Sequence, residues 1–314
     1  MPKVSVIIPI YGVEKYIEKC ARSLFEQTLD DIEFIFVDDS TPDNSIGILK
    51  RTLCDYPNRQ ANVKIVHHQC NKGLPEARHT GILASTGDYI AHCDSDDWVS
   101  KGMYDELYNY ATETKAELIF CDYLISDGSS GTYKVFKKHL KSSLQESVIR
   151  RLLVTSDLNP VWSLLSKREL YKDIVVPNGA QTEDKTYTIQ LALNSKKISY
   201  YSSPLYFYRK TPNSISNTIG KEALLKRFCQ SKKNIDIIIS LLKQKGLFMK
   251  YYKETDALLL SLNRYLYKDI SDANFCNAFK SIQVPLQRVI NNKFITIKDK
   301  ILCLYMKIVS SFTA

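Results

Sequence analysis

Short apolar runs alternate with segments of helical periodicity along the first hundred residues. Four mainly apolar runs occupy residues 4–9, 32–37, 63–66 and 89–93. Runs of this length and composition are typical of strands that are buried on both faces. Between them, apolar residues recur at helical spacing in segments 13–24, 45–53 and 75–84. This alternation of strands and helices predicts a doubly wound α/β sheet.

Acidic residues follow two of the predicted strands. Asp38 and Asp39 come directly after the second strand, and further acids lie within residues 94–97 after the fourth. Right-handed crossovers bring the carboxyl ends of parallel strands to one edge of the sheet, where α/β proteins bind ligands. We therefore expect residues 9–11, at the end of the first strand, to lie beside these acids.

The acids after the fourth strand predict a divalent-metal site. Asp94, Asp96 and Asp97 lie within four residues, and such carboxylates repel one another unless a cation or several donors neutralise them. Mg²⁺ commonly takes one or two protein carboxylates together with phosphate oxygens of a substrate. Asp94 and Asp96 are therefore candidate ligands, with a solvated turn as the alternative. Asp97 is interpreted as a helix N-cap.

Several other polar residues have both a structural and a functional interpretation. Asp38 and Asp39 could accept hydrogen bonds from a base or ribose, or they could cap a strand-to-helix turn. Arg78 could reach a diphosphate, although a surface ion pair is the commoner role of an arginine. Asp184 could act as a general base. The run Thr182-Glu183-Asp184 is also typical of a helix N-terminus, and the pattern alone favours that cap.

The second half of the chain is richer in helical patterns. Helices are predicted over residues 101–114, 144–154 and 185–193, and strands over 118–121, 198–201 and 204–209. From residue 221 the pattern is mainly helical. We therefore predict an α/β domain over residues 1–218 and a mainly helical, basic C-terminal region over residues 219–314.

Positive charge is concentrated in this C-terminal region. Residues 221–314 contain 17 Lys and Arg against seven Asp and Glu, a net charge of +10, whereas the whole chain carries +9. Apolar residues alternate with lysines in segments 226–250 and 298–309, as in basic helices that lie on anionic membranes. A helical bundle with solvated basic faces is the alternative. We expect no nucleic-acid partner, because no aromatic and basic motif of a known binding module is present.

The remaining composition predicts a reduced, cytoplasmic protein. The eight cysteines include no C-x-x-C pair, so neither a zinc site nor a disulfide framework is expected. No apolar run reaches 18 residues, and the apolar run at the start is too short for a signal peptide. Any membrane contact is therefore expected to be peripheral, at the inner face of the cell membrane.

Five motifs occur in a specific order along the chain. They are Val4-Ser5-Val6-Ile7-Ile8-Pro9-Ile10-Tyr11, Asp38-Asp39-Ser40-Thr41-Pro42-Asp43-Asn44-Ser45, Asn71-Lys72-Gly73-Leu74-Pro75-Glu76-Ala77-Arg78, Asp94-Ser95-Asp96-Asp97-Trp98 and Glu183-Asp184. Together they resemble the family 2 glycosyltransferases over roughly residues 3–215. Members of that family are inverting, nucleotide-sugar-dependent enzymes. The resemblance implies the GT-A fold, in which helices flank a Rossmann-like, mostly parallel central sheet.

The resemblance assigns the nucleotide-sugar to residues at the ends of the first strands. Pro9 and Tyr11 match positions that flank the nucleobase. Asp39 matches the acid that hydrogen-bonds uracil, with Asp38 beside it. Arg78 resembles the basic residue near the nucleotide. The implied donor is a UDP-sugar.

The same resemblance implies the metal ligands and the catalytic residues. Asp94-Ser95-Asp96 matches the D-x-D motif, in which Asp96 would ligate Mn²⁺ or Mg²⁺ and Asp94 would hold the ribose or a metal-bound water. Ser95, between them, would contact the nucleotide-sugar. Asp184 matches the catalytic base, with Glu183 as its supporting neighbour.

Other positions bear on the acceptor and on the type of enzyme. Trp162 and Arg209 resemble elements near the acceptor or the diphosphate. Gly12, Ser40 and His79 depart from residues that are common in the family, which loosens any inference about the donor. The Q-x-x-R-W motif of processive synthases is missing, so the resemblance implies addition of a single sugar.

The implied function is sugar transfer to a glycan or lipid-linked glycan acceptor in cell-surface polysaccharide biosynthesis. The alternative is a nucleotide-sugar-binding or anion-binding module without catalysis. Such a module would keep Asp39 and Asp96 but would lack a placed base. Asp184 is therefore the residue that distinguishes the two.

Overall fold

A computed structural model describes residues 1–126, 132–210 and 220–312 of the chain. Its strands are β1 (Val4–Ile10), β2 (Ile32–Asp38), β3 (Val63–His67), β4 (Tyr89–His92), β5 (Trp98–Val99), β6 (Leu118–Ser126), β7 (Tyr133–Phe136), β8 (Leu164–Lys167) and β9 (Ile198–Arg209). They form one sheet in the order β3-β2-β1-β4-β8-β6-β9-β5, with β7 paired to β6.

The first four strands form the predicted parallel part of the sheet. β1 lies between β2 and β4, and all seven of its residues are buried. The sequence predicts that Pro9 ends β1, whereas the strand continues to Ile10. The carbonyl of Ile7 accepts a hydrogen bond from Cys93 on the β4 side. Pro9, two residues further on, turns its nitrogen to the same side, beyond the end of β4, so it removes no ladder hydrogen bond.

The rest of the sheet is mixed. β8 pairs antiparallel with β4 and β6, and β5 pairs antiparallel with β9, whereas β6 and β9 are parallel. The sequence predicts two strands over residues 198–209, but β9 is continuous. Its register against β6 shifts around the Asp122–Pro204 pair, and a bulge there accommodates the proline within one strand. The predicted α/β class is confirmed.

The described helices lie against both faces of the sheet and make up most of the C-terminal region. They are α1 (Ile17–Phe25), α2 (Ser45–Cys54), α3 (Leu74–Ala84), α4 (Met103–Thr114), α5 (Gln145–Val154), α6 (Glu183–Asn194), α7 (Lys221–Gln244), α8 (Phe248–Leu260), α9 (Ala273–Lys280), α10 (Leu286–Ile290) and α11 (Ile297–Phe312). The predicted helical character of the C-terminal region is confirmed. Over the described ranges, no helix has the length and apolar composition needed to span a membrane.

The C-terminal helices share a hydrophobic core with the sheet. One cluster of buried side chains includes Ile90 and Phe120 of the sheet together with Phe228 and Ile235 of α7. A second cluster includes residues of α1, α4 and the sheet. The predicted boundary between residues 218 and 219 lies outside the described residues, and the division into two regions stays a prediction.

Candidate active site

A cleft of about 1400 Å³ opens at the carboxyl ends of the parallel strands. It is lined by nine of the residues that the sequence assigns to a site: Pro9, Tyr11, Asp39, Asp94, Ser95, Asp96, Trp162, Asp184 and Arg209. The expected convergence of the strand ends is therefore confirmed. Asp38, Arg78 and Glu183 are not among the lining residues and lie behind the cleft surface.

Arg78 joins three acids at the base of the cleft. Its side chain, on α3, is only 1% exposed. Its Nη1 donates hydrogen bonds to both carboxylate oxygens of Glu183 at 2.5 Å and to Asp184 Oδ1 at 2.8 Å. Its Nη2 donates to Asp94 Oδ1 at 2.7 Å. One buried guanidinium thus connects the turn after β4 to the start of α6.

Burial and charge act in opposite directions on this cluster. Burial alone would lower the pKa of Arg78, but the three carboxylates hold that pKa well above its usual value. Burial raises the pKa of Glu183 to about 8, against the effect of Arg78 and with a further contribution from Asp184. Burial also raises the pKa of Asp94. Because three carboxylates face one guanidinium, a proton on Glu183 reduces the repulsion among them.

The turn after β4 is anchored by β9. Asp97 is 1% exposed, and its carboxylate accepts hydrogen bonds from the Tyr206 hydroxyl and the Arg209 backbone N–H, both at 2.7 Å. The Tyr206 oxygen in turn accepts from the backbone N–H of Asp94 at 3.0 Å. The interpretation of Asp97 as a helix cap is wrong, because β5 follows it directly and α4 begins only at Met103. Asp97 instead fixes the turn that carries the candidate metal ligands.

Asp96 presents a carboxylate to the cleft. Arg209 Nε donates a hydrogen bond to the backbone carbonyl of Asp96 at 2.9 Å. Asp96 itself lines the cleft. Burial and then the nearby Asp94 raise the pKa of Asp96 to about 6, and a bound cation would offset this cost.

The donor set fits a metal that also binds substrate. Within the described part of the chain, no three His, Cys, Asp or Glu side chains form a group that could hold a metal ion alone. Asp96, with Asp94 behind it, suits Mg²⁺ or Mn²⁺, which complete their coordination with phosphate oxygens and water. The residues present therefore fit the predicted metal.

Asp39 lies in the cleft wall and fixes the loop that precedes α3. Its carboxylate accepts hydrogen bonds from the backbone N–H groups of Lys72 and Gly73, each at 2.8 Å, and lies 2.7 Å from His68 Nδ1. Asp38 turns away from the cleft, toward the following turn and β3. The two adjacent acids therefore have different surroundings, and of the two only Asp39 reaches the cleft.

Trp162 belongs to an aromatic wall of the cleft. Its ring stacks on Tyr206 and Tyr208, with centroids 4.3 Å and 5.5 Å away, and meets the edge of Tyr123 at 4.8 Å. Trp162, Tyr123 and Tyr208 all line the cleft. Trp162 and Tyr123 are only 5% and 8% exposed and Tyr206 is fully buried, so the half-buried Tyr208 is the most accessible ring of this wall.

Helix α7 holds the segment that precedes Asp184. Thr182 has a left-handed backbone with φ of 64° and makes no cap hydrogen bond; its hydroxyl donates to Ser231 Oγ at 2.9 Å. Asn234 Oδ1 accepts from Asn178 N at 2.6 Å, and its Nδ2 donates to Gln181 O at 2.7 Å. The side-chain cap that the pattern favoured is therefore not formed.

The sequence analysis missed residues that lie far from the motifs along the chain. Tyr206, Ser231 and Asn234 support the motif residues, and Lys226 and Gln230 of α7 line the cleft. Each occupies an ordinary position in a strand or helix pattern. No local signal identifies these residues, because only the tertiary structure brings them to the site.

A family model described as Glycosyl transferase family 2 matches residues 5–167, just over half of the chain. The chain belongs to this family. The uncharacterized glycosyltransferase EpsJ of Bacillus subtilis is 33% identical over 232 residues, which cover 71% of this chain and 66% of that relative. The poly(ribitol-phosphate) beta-glucosyltransferase of Bacillus spizizenii is 30% identical over 212 residues, which cover 66% of this chain and 32% of that relative.

The fold of this family 2 glycosyltransferase also matches solved structures. Staphylococcus aureus TarS 1-349 in complex with UDP-GlcNAc aligns with a TM-score of 0.63 at 20% identity. The alignment covers 99% of this chain and 89% of that chain. It confirms the GT-A fold that the motifs imply and extends through the helical C-terminal region.

Proposed function

We propose that this family 2 glycosyltransferase moves one sugar from a UDP-sugar to a hydroxyl group of a glycan or lipid-linked glycan, with inversion at the anomeric carbon. The observation that carries the proposal is the position of Asp184. Its side chain is 33% exposed in the cleft and is bound by Arg78, which also binds Asp94 of the D-x-D turn. Arg78 thus fixes the candidate base, Asp184, relative to the turn that carries the candidate metal ligands.

Asp184 is the proposed general base. As the acceptor oxygen attacks the anomeric carbon, its proton passes to Asp184 and the nucleoside diphosphate leaves from the opposite face of the sugar. A single displacement of this kind inverts the configuration. Because Arg78 holds Oδ1, we assign the proton transfer to Oδ2. Glu183 is buried behind Asp184, where its carboxylate binds the same guanidinium of Arg78 and contributes to the charge balance around the base.

The D-x-D turn is the proposed site of the leaving group. Asp96, supported by Asp94, would hold Mn²⁺ or Mg²⁺, and the bound ion would offset the negative charge that develops on the departing diphosphate. Ser95 and Arg209 line the cleft beside this turn and would contact the diphosphate. Arg78 is proposed to position Asp94 and Asp184 instead of touching the nucleotide, because its side chain is 1% exposed.

The nucleobase is assigned to the end of the cleft formed by β1 and β2. Tyr11 is 52% exposed and offers its ring for stacking, with Pro9 beside it. Asp39 would accept the hydrogen bond of the uracil N–H. The fold shared with TarS, which is solved with UDP-GlcNAc, supports a UDP-sugar as the donor.

The acceptor is assigned to the aromatic wall around Trp162, on the side of the cleft that α7 closes. The relative named as a poly(ribitol-phosphate) beta-glucosyltransferase supports a polymeric acceptor, in cell-surface polysaccharide biosynthesis. All eight cysteines are free thiols, which suits a reducing compartment. We therefore place the reaction in the cytoplasm or at the inner face of the membrane.

Release of UDP from a panel of UDP-sugars tests the donor and the metal. We expect one or a few sugars to release UDP with Mn²⁺ or Mg²⁺ and none with excess chelator. Asp96→Asn should lose the response to metal, because it removes the proposed ligand, whereas Asp38→Asn should keep it. UDP binding without any release, even with cell-wall acceptors, would contradict transfer and favour the non-catalytic binding module.

A further inference from the structure

The last helix exposes an apolar stripe to solvent. Six large hydrophobic side chains of α11 are at least 37% exposed: Ile297, Ile301, Leu304, Tyr305, Ile308 and Phe312. At about 3.6 residues per turn they lie within an arc of about 100° on one side of the helix. Each of the other described helices exposes at most two such side chains. We name these six residues the α11 stripe.

The opposite side of α11 already packs on the protein. Cys303 and Met306 are buried in the hydrophobic cluster that also contains residues of the sheet and of α7. Ser310 is buried as well, and its carbonyl accepts a hydrogen bond from Cys276 Sγ of α9 at 3.7 Å. The helix is therefore seated by its inner face, and the α11 stripe is additional to the core.

Lysines border the α11 stripe on both sides. At helical spacing, Lys298 lies at one margin, and Lys300 and Lys307 lie at the other. The single acid of the helix, Asp299, exchanges hydrogen bonds with Thr296 before the first turn. The cations therefore determine the charge at the margins of the stripe.

The apolar surface continues beyond α11 itself. Lys300 Nζ donates to the carbonyl of Ile290 at 2.6 Å, which places α10 next to the lysine margin. Ile290 is 51% exposed and Leu286, one turn earlier, is 36% exposed. The C-terminal region that carries both helices has a net charge of +10, from 17 Lys and Arg against seven Asp and Glu.

We propose that α11 docks in the plane of an anionic phospholipid bilayer, with the α11 stripe immersed and its lysines against lipid phosphates. Contiguous exposed apolar patches mark interaction sites, and an apolar stripe between lysines is the pattern of interfacial helices. A second copy of the chain would bring like-charged lysine margins together, whereas anionic lipids neutralise them. This docking is independent of the proposed sugar transfer, because vesicle binding requires no catalysis.

Vesicle flotation of the full chain tests the docking. We expect the protein to float with phosphatidylcholine vesicles that contain phosphatidylglycerol, at least about tenfold more strongly than with phosphatidylcholine alone, and less strongly at high salt. The double substitution Ile301→Asn with Ile308→Asn should weaken flotation by roughly tenfold or more, because it removes two apolar side chains from the centre of the stripe.

A matched variant separates the stripe from exposed apolar residues in general. Leu83 and Met249 are 73% and 75% exposed on other helices, and replacing both with Asn should leave flotation unchanged. Melting temperature and UDP binding verify that both double variants are folded. Wild-type flotation of the Ile301 and Ile308 double variant, or no flotation of the wild type, would overturn the proposal. So would a wild-type dimer that this variant converts to monomer while vesicle binding persists.

Discussion

Arg78 is the residue on which the geometry of the site depends most. It is buried, and its two terminal nitrogens bind carboxylates from two elements that lie about 90 residues apart in the chain. A buried charge is tolerated where opposite charges and hydrogen bonds compensate it. Removing the guanidinium would leave Asp94, Glu183 and Asp184 facing one another without a counter-ion.

Arg78→Met tests this dependence at neutral pH. The substitution keeps an unbranched side chain but removes the charge, so we expect the free energy of unfolding to fall by about 3–5 kcal/mol. Sugar transfer should also be lost, because Asp184 and Asp94 are no longer held. Urea unfolding measures the first effect. Arg168→Met, at an exposed arginine outside the cleft, is the control, and an equal loss of stability in both variants would contradict the special role of Arg78.

The destabilisation by Arg78→Met should depend on pH. Without the guanidinium, the folded-state pKa values of the buried acids rise further above their unfolded values, so the folded state binds more protons than the unfolded state. Stability of the variant relative to wild type is then greatest at low pH and falls as pH rises. Urea titrations at about pH 5 and about pH 8 should show the smaller difference at the lower pH; the opposite trend would contradict this charge balance.

At the scale of elements, α7 completes the site from outside the motifs. Asn234 and Ser231 are fully buried and hold the segment 178–182 that leads into Asp184. Gly179, within this segment, has φ of 70°, and a Cβ there would lie 2.4 Å from the Gln230 side chain. Glycine therefore allows the close approach of this segment to α7.

Asn234→Ala should loosen the segment that carries the base. We expect kcat to fall roughly tenfold with little change in KM for the donor, because small errors in position cost catalysis more than binding. Steady-state kinetics against both substrates measures the two parameters separately. Asn277→Ala, at an exposed position of α9, is the control. If Asn234→Ala instead raised the donor KM and left kcat unchanged, a positioning role for Asn234 would be contradicted.

The sequence predicts those parts of the site that follow from the order of strands along the chain. Asp39 and Asp96 follow apolar runs that form neighbouring parts of the parallel sheet, so their position at the edge of the cleft could be predicted. Asp97 could not, because its donors, Tyr206 and the Arg209 backbone, come from β9 more than 100 residues later. The burial of Arg78 was missed for the same reason, since an arginine in a helix gives no sign of acids packed against it from α6.

At the scale of the whole molecule, one core joins the sheet to the C-terminal helices. We therefore expect a single cooperative unfolding transition. Both tryptophans, Trp98 and Trp162, lie in the sheet part, whereas residues 220–312 are mostly helical. Tryptophan fluorescence thus reports on the sheet part, whereas far-ultraviolet circular dichroism reports on the helices of both parts, α7 to α11 included. Coincident urea transitions are expected, and loss of helix before loss of tertiary fluorescence would contradict a shared core.

The most direct measurement of the central claim is the turnover of Asp184→Asn with its donor, together with UDP binding. The substitution keeps the shape of the side chain but cannot accept the acceptor proton. We expect turnover to fall by roughly 10²–10⁴-fold while the affinity for UDP stays within a factor of about two of wild type. Near-wild-type turnover with intact UDP binding would contradict Asp184 as the general base.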